Sequence, residues 1–415
     1  MKHPWLKRAL PWAMYDWANS TFATTVMAAF VPIFNKDFWS GGAPDTVSTF
    51  RLSTASSTAA VIVAVLAPIL GAIADRGGAK KRFLAFFAGM GALATAGLAA
   101  AGHGQWAMAL TLYVFAWVGF AGANVFYDSL LVAVAEPEKF DVVSALGYSL
   151  GYVGGGLLLA LNVVMVRQPA LFGLDDAGAA VRVSFLLVAV WWAVFTLPLL
   201  LKVAEPRPPQ ASGGALAAVQ AGFRQLIGTF HEIRRLRIVA LFLVAYWLYI
   251  DGVDTVIQMA IDYGSALHFD TGSLITALLI TQIVGFPAAL LFGKLGEKLG
   301  ARTGILIGLV VYALACVGGY RMQHVSEFYA LAIVIGFVQG GVQSLSRSYF
   351  ARLIPSDKSA EFFGFYNMLG KFAAILGPTL MGSVALWTGN PRLGILAIIP
   401  LFVIGGALLS RVKTA

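Results

Sequence analysis

The chain has 415 residues, of which 59% are hydrophobic and 12% charged, half the charge density of an average soluble domain. Its apolar runs repeatedly exceed the roughly 20 residues that cross a bilayer as a helix, which excludes an ordinary soluble protein and identifies an all-α polytopic membrane protein. The net charge of +9 does not point to nucleic acid, because the basic residues cluster in short loops between apolar spans, where they set topology.

Twelve apolar segments are predicted, at roughly 10–35, 49–74, 82–102, 106–134, 142–166, 182–202, 237–263, 272–295, 302–321, 325–350, 359–388 and 392–410. The basic start "MKHPWLKRALPW" is followed by no small-residue cleavage site and reads as a retained first helix. With both termini on one side, 21 of the 29 Lys and Arg fall on that side. The other side holds six: Lys36, Arg51, Arg167, Arg182, Arg321 and Arg392. This asymmetry predicts cytoplasmic termini. Residues 1–202 form a first unit of six spans and 237–415 a second. Between them, 203–236 is a linker that opens with the Pro- and Gly-rich "AEPRPPQASGG". In it Leu216, Val219, Phe223, Leu226, Phe230 and Ile233 predict an amphipathic helix, lying on the membrane or packed under the bundle.

The halves repeat. After segment 2 comes "GAIADRGGAKKR", with Gly71, Asp75, Arg76, Gly78, Lys80 and Lys81. After segment 8 comes "GKLGEKLGAR", with Gly293, Glu297, Lys298, Gly300 and Arg302. Val118-Gly-Phe in segment 4 matches Ile335-Gly-Phe in segment 10, and Asp16, Asn19 and Ser20 match Asp251, Asp254 and Thr255. Gly71 and Gly293 suit close helix crossings, with Asp75 or Glu297 near the positive end of a helix from the other half.

This loop signature, twice in a twelve-span chain, resembles the major facilitator superfamily. The resemblance implies two pseudo-symmetric six-helix bundles, a secondary transporter working by alternating access, and a gate latched on the cytoplasmic side by the signature loops. A narrower likeness is carried by "YDWANSTFATTVMAAFVPIF", "LGYSLGYVGGGLLLALN" and "FFGFYNMLGKFAAILGP". These are similar to the vacuole-effluxer branch, which includes the yeast autophagy-related vacuolar amino-acid exporter.

Polar residues inside the spans mark the candidate pathway, since polar side chains do not face lipid. Segment 1 has Asp16 and Asn19; segment 4 has Asn124, Tyr127 and Asp128; segment 7 has Asp251, Asp254 and Gln258. Segment 8 has Gln282, segment 10 has Gln343 and Arg347, and segment 11 has Asn367 and Lys371. The interiors of segments 3, 6, 9 and 12 offer little beyond Thr95, Thr196 and Cys316. In the superfamily those four helices are peripheral, so the aspartates are expected to face a central cavity near the midplane. Asp16 suits the cavity or a gate, and Asp128 and Arg347 suit cargo or a pair with each other. Asp251 and Asp254 suit proton coupling or recognition of an amine. Lys371 is a counter-ion or a contact for an anionic group.

Sites of both signs fit a zwitterion such as an amino acid, with protons as coupling ion, lipid as surroundings and a monomer as working unit. Other metabolites, peptides, sugars or drugs fit the same fold, and a transport-dead receptor would read alike. Two superfamily features are missing: segment 4 has no basic residue, and segment 5 has glycines but no Gly-Pro pair, which stands instead at Gly377-Pro378. "GFYNMLGKF" fails the phosphate-loop pattern. The five histidines lack metal-ligand spacing, and a lone cysteine builds no disulfide framework. No cofactor, no metal and no enzyme activity are expected.

Overall fold

The computed structural model describes residues 4–205, 228 and 236–412, which contain helices and no strand. α1 (Pro4–Thr21) runs on through a π-helical stretch at Phe22–Phe30, an α-turn at Val31–Phe34 and a second π-stretch at Asn35–Trp39. Then come α2 (Asp45–Gly77), α3 (Lys80–Gly97), α4 (Trp106–Ser129), α5 (Phe140–Arg167) and α6 (Ala177–Lys202). The second half holds α7 (Arg237–Ala266), α8 (Thr271–Leu299), α9 (Ala301–Arg321), α10 (Val325–Leu353), α11 (Ser359–Thr388) and α12 (Pro391–Ser410). Among the described residues ten helices, all but α1 and α11, are long and apolar enough to cross a membrane. The amphipathic helix expected over Leu216 to Ile233 lies outside the described residues.

Every predicted segment coincides with a helix, and most helices outrun the apolar run that announced them. The first, expected over 10–35, extends to 4–39 because its far end is held by polar contacts: the Asn35 amide donates to the Ser48 carbonyl at 3.1 Å and hydroxyl at 3.0 Å. Local chemistry sets the ends. Gly78 takes the left-handed conformation (φ +55°) that closes α2. Asp176 and Asp270 accept the N–H groups of Ala179 (2.7 Å) and Ser273 (3.0 Å), capping α6 and α8.

Large apolar side chains on α3, α6, α9 and α12 remain exposed, among them Leu93, Val190, Leu314 and Val403, as peripheral helices in lipid require. Thr95 and Thr196 donate to carbonyls of their own helices, Gly91 and Trp192, both at 2.7 Å. Within the first half α1 packs on α5 and α6; within the second, α7 packs on α11 and α12. The halves of the sequence meet where α2 and α4 cross α11, and where α5 lies against α8 and α10.

Candidate functional site

The face carrying both signature loops is closed by contacts between the two halves. At the α2–α11 crossing, a Cβ on Gly71 would lie 2.3 Å from the Ala360 carbonyl oxygen, and one on Gly364 would lie 2.7 Å from that of Ala67. Only glycine fits at either place. The approach brings the buried Asp75 carboxylate onto the first turn of α11, where it accepts the N–H groups of Ala360 (3.1 Å) and Glu361 (2.8 Å). Helix starts leave such donors open, and they attract an anion. Lys80 Nζ completes the knot, 2.7 Å from Asp75 and donating to the Ser359 hydroxyl at 2.8 Å. Lys81 Nζ donates to the Val203 carbonyl at 2.8 Å, and Glu205 accepts the Lys80 N–H at the start of α3. The side chain of Arg76 lies outside the described residues.

The second copy is built differently. A Cβ on Gly293 would come 2.5 Å from that of Ala145, so α8 crosses α5 closely. Glu297, however, bonds the exposed Lys139 ammonium at 2.7 Å rather than the start of α5. Lys298 is exposed, Gly300 takes φ +84°, and Arg302 donates to the Val412 carbonyl at 3.0 Å. The buried anion near the start of α5 is its own Asp141, which takes a two-pronged contact from Arg352 (2.8 and 2.9 Å) and accepts from the Ser348 hydroxyl.

About 7.5 Å further along α10, at five residues of 1.5 Å each, Arg347 joins both halves. Its guanidinium is 2% exposed. Nε donates to the Ser144 hydroxyl (2.8 Å) and Nη2 to the Ser144 carbonyl (2.8 Å). Nη1 donates to Asp128 Oδ1 at 3.1 Å, and Nη2 lies 3.4 Å from Asp16 Oδ2. Tyr127 donates to Asp16 at 2.7 Å, and Asn367 to the other oxygen of Asp128 at 3.1 Å. The rings of Tyr148 and Trp12 lie 4.5 and 4.9 Å from the guanidinium carbon. A planar donor fork suits such a site, where several acceptors are met at once. Asp16, Asp128, Arg347 and Asn367 are thus one buried cluster drawn from α1, α4, α10 and α11.

Other residues predicted from the sequence lie apart. Asn19 donates to Asn124 at 2.6 Å within the first half. Asp251 is fully buried against α11 and accepts the Gly377 N–H at 2.8 Å. Asp254, one turn on, is half-buried and within electrostatic reach of Tyr148 and Tyr246. Gln258 is exposed, and Gln282 and Gln343 are half-buried. The Gln282 side chain rests against α5, where a Cβ on Gly155 or Gly156 would meet it at 3.1 Å. Lys371 lies in α11 with its side chain outside the described residues.

Sequence reasoning placed Tyr127 in the polar stripe of segment 4 but passed over Ser144, Tyr148, Asp141 and Arg352. The hydroxyls are common in any span. Asp141 and Arg352 sit at helix ends, where charges look topogenic; their signal was position, an acid opening one span and a base closing another. An apolar cavity of about 100 Å³ in the second half, lined by residues that include Thr255, Met259, Cys316, Met381 and Ile398, had no signal in the sequence.

A family model described as "Vacuole effluxer Atg22 like" matches residues 38–139 and 132–415. The chain is 39% identical over 413 residues to an uncharacterized MFS-type transporter, YxiO, of Bacillus subtilis, covering 98% of this chain and 95% of that one. It is 25% identical over 410 residues to autophagy-related protein 22 of Saccharomyces cerevisiae, covering 87% of this chain and 76% of the relative. Among solved structures, the human organic anion transporter MFSD10 superposes with a TM-score of 0.76 over 98% of this chain and 100% of that one. Its 14% identity makes this a likeness of fold.

Proposed function

The chain belongs to the Atg22-like vacuole effluxer family of major facilitator transporters, and from that premise we propose that it carries an amino acid or similar zwitterion across a bacterial cytoplasmic membrane, coupled to protons. It is a multi-pass membrane transporter of a small molecule and not an enzyme. In this reading 1–202 and 237–415 are two six-helix bundles that rock about a central site, 203–236 is the cytoplasmic linker, and one chain works alone. Both termini and the signature loops face the cytoplasm, so the closed face is the inner gate.

One observation carries the reading: a buried arginine of one half is held by two buried aspartates of the other, Arg347 by Asp16 and Asp128. The halves cannot part on this face until those bonds are exchanged for others. A zwitterion and a proton bring charges of the needed signs. Asp254, Gln258, Gln282, Gln343, Asn19, Asn124 and Lys371 are assigned to the cargo pathway above this lock. Asp75 and its partners latch the gate.

The test is reconstitution in liposomes with a pool of labelled amino acids, with and without an imposed pH gradient. Flux that follows the gradient is expected. No movement of any amino acid would remove the substrate assignment, and flux indifferent to the gradient would remove proton coupling.

A further inference from the structure

Asp251 was expected in the cavity beside Asp254, yet it has no exposed surface and contacts the backbone of α11. α11 contains the Gly377-Pro378 pair. Proline has no N–H to donate and its ring crowds the carbonyl four residues back, so the ladder of α11 is interrupted here. A helix lacking one rung bends more easily there, so a contact from a neighbouring helix at that point can set its angle. Asp251 meets the backbone of α11 beside that gap: its Oδ1 accepts the N–H of Gly377, the residue before the proline, at 2.8 Å. Thr255 sits over the same spot, donating to the Asp251 carbonyl at 2.6 Å with its hydroxyl 3.4 Å from Oδ1.

Gly377 is what admits this contact. A Cβ there would lie 2.0 Å from the Thr255 hydroxyl and 2.7 Å from Asp251 Oδ1. The second carboxylate oxygen is buried with no hydrogen-bond partner among the described residues. The contact therefore uses Asp251 as an acceptor at one oxygen, a role an amide oxygen can also fill, as a neutral acceptor in place of a charged one.

α11 runs on as one helix from Ser359 to Thr388, with the missing rung at Pro378 between two stretches of it. On the gate side it bears Asn367, which holds Asp128, and the first turn that Asp75 caps. Ala360 is 17 residues, about 26 Å, from Gly377 along the helix. A 10° change at the break moves that first turn by about 4–5 Å, enough to free it from Asp75. On the other side the apolar cavity adjoins both helices, with Thr255 and Met381 in its wall, and gives the outer part of α11 room to shift.

We propose that Asp251 is a positioning residue that sets the angle of α11 by accepting the backbone donor at the Gly377-Pro378 break, and thereby holds the gate-bearing half of α11 against α2 and α4. It rests on the alternating-access reading and not on the identity of the cargo.

The experiment reads conformation in the full-length chain in lipid. Spin labels at Arg82→Cys and Asp357→Cys, in a Cys316→Ala background, report the gap between the two halves on the signature-loop face. Asp251→Asn is expected to keep the wild-type distance distribution and the pH profile of transport. Asp251→Ala is expected to shift the ratio of short to long distances at least tenfold. Adding Pro378→Ala, which restores a regular ladder, is expected to bring that ratio back. Where Asp251→Ala does not fold, Gly377→Ala serves, because its methyl displaces the carboxylate without removing it. Asp251→Asn behaving like Asp251→Ala would overturn the proposal, as would no shift in the alanine variants or no recovery with Pro378→Ala. Failed amino-acid transport with these distance changes intact would sink the cargo assignment alone.

Discussion

Gly71→Ala tests the latch with one methyl group. The added Cβ would stand 2.3 Å from the Ala360 carbonyl oxygen, 2.7 Å from its carbon and 2.9 Å from Glu361 Cα. All three are backbone atoms of the first turn of α11, so no side chain can turn aside. Relief needs the helices to separate by about 1 Å, since a real contact lies at about 3.5 Å or more. That separation stretches the bonds from Ala360 and Glu361 to Asp75, now 3.1 and 2.8 Å, beyond useful length. Hydrogen bonds to a charged group are worth about 1.5–3 kcal/mol each. Losing the better half of the pair, some 3 kcal/mol, corresponds to about 150-fold in the ratio of closed to open. Alanine is the better helix former by about 1 kcal/mol, so α2 itself is not weakened. Spin-label distances across Arg82→Cys and Asp357→Cys should move from mostly short to mostly long. Gly364→Ala should act alike, while Gly89→Ala, with nothing within 4 Å of its new methyl, should not. An unchanged distance distribution in Gly71→Ala would refute the argument that this crossing sets the gate.

The two signature copies should differ in weight. Glu297→Ala removes a partly exposed pair worth under about 1 kcal/mol and should leave transport within twofold of wild type, whereas Asp75→Ala should cost most of it. Arg347→Lys replaces a fork that meets Ser144, Asp16 and Asp128 by a single point, and should lower both transport rate and thermal stability; Arg347→Ala, which leaves two carboxylates buried, should be worse by about 3–5 kcal/mol in a melting experiment. Cys316 is 1% exposed and should resist a bulky charged maleimide in the folded protein while labelling fully after denaturation.

What could be read in advance follows from the range of each interaction. Span number and order are written in the length of apolar runs, and so the twelve helices were legible. The Gly71–Asp75 spacing was legible as a close crossing with an acid one turn on, because helix geometry fixes what lies four residues away. The π-helical stretch at Phe22–Phe30 was not, since "FATTVMAAF" carries no glycine or proline to mark it. Nor was the pairing of Asp141 with Arg352, 211 residues apart, because loop charges and contact charges look the same until the helices are placed. The Asp128–Arg347 pair was one of two readings left open by the sequence, and the two side chains do meet, at 3.1 Å. Asp251 was the hardest case, because its partner is a backbone N–H 126 residues away that carries no side-chain signature.

The repeat explains why two aspartates in matching positions hold such different partners. In α1, Ser20 faces Gly151 of α5, where a Cβ would come 2.5 Å from its hydroxyl; in α7, Thr255 faces Gly377 of α11 at 2.0 Å. The acid one turn earlier thus starts from the same setting in both halves. Matching Val118 with Ile335 places Leu130 opposite Arg347, so α4 holds no arginine to answer Asp251. Likewise α5 holds no proline, so no broken ladder is there to answer Asp16. A buried carboxylate needs a partner. Asp16 finds it in the arginine of the opposite half and becomes part of the lock. Asp251 finds it in the backbone of its own half and becomes part of the hinge. Exchanging the settings makes a consequence measurable: Leu130→Arg should leave the distances at the α2–α11 crossing unchanged in the presence of Pro378, because Asp251 is already engaged at Gly377. A new arginine contact that draws Asp251 away would show as the same long-distance shift as Asp251→Ala, and would mean that the hinge bond is weaker than the geometry implies.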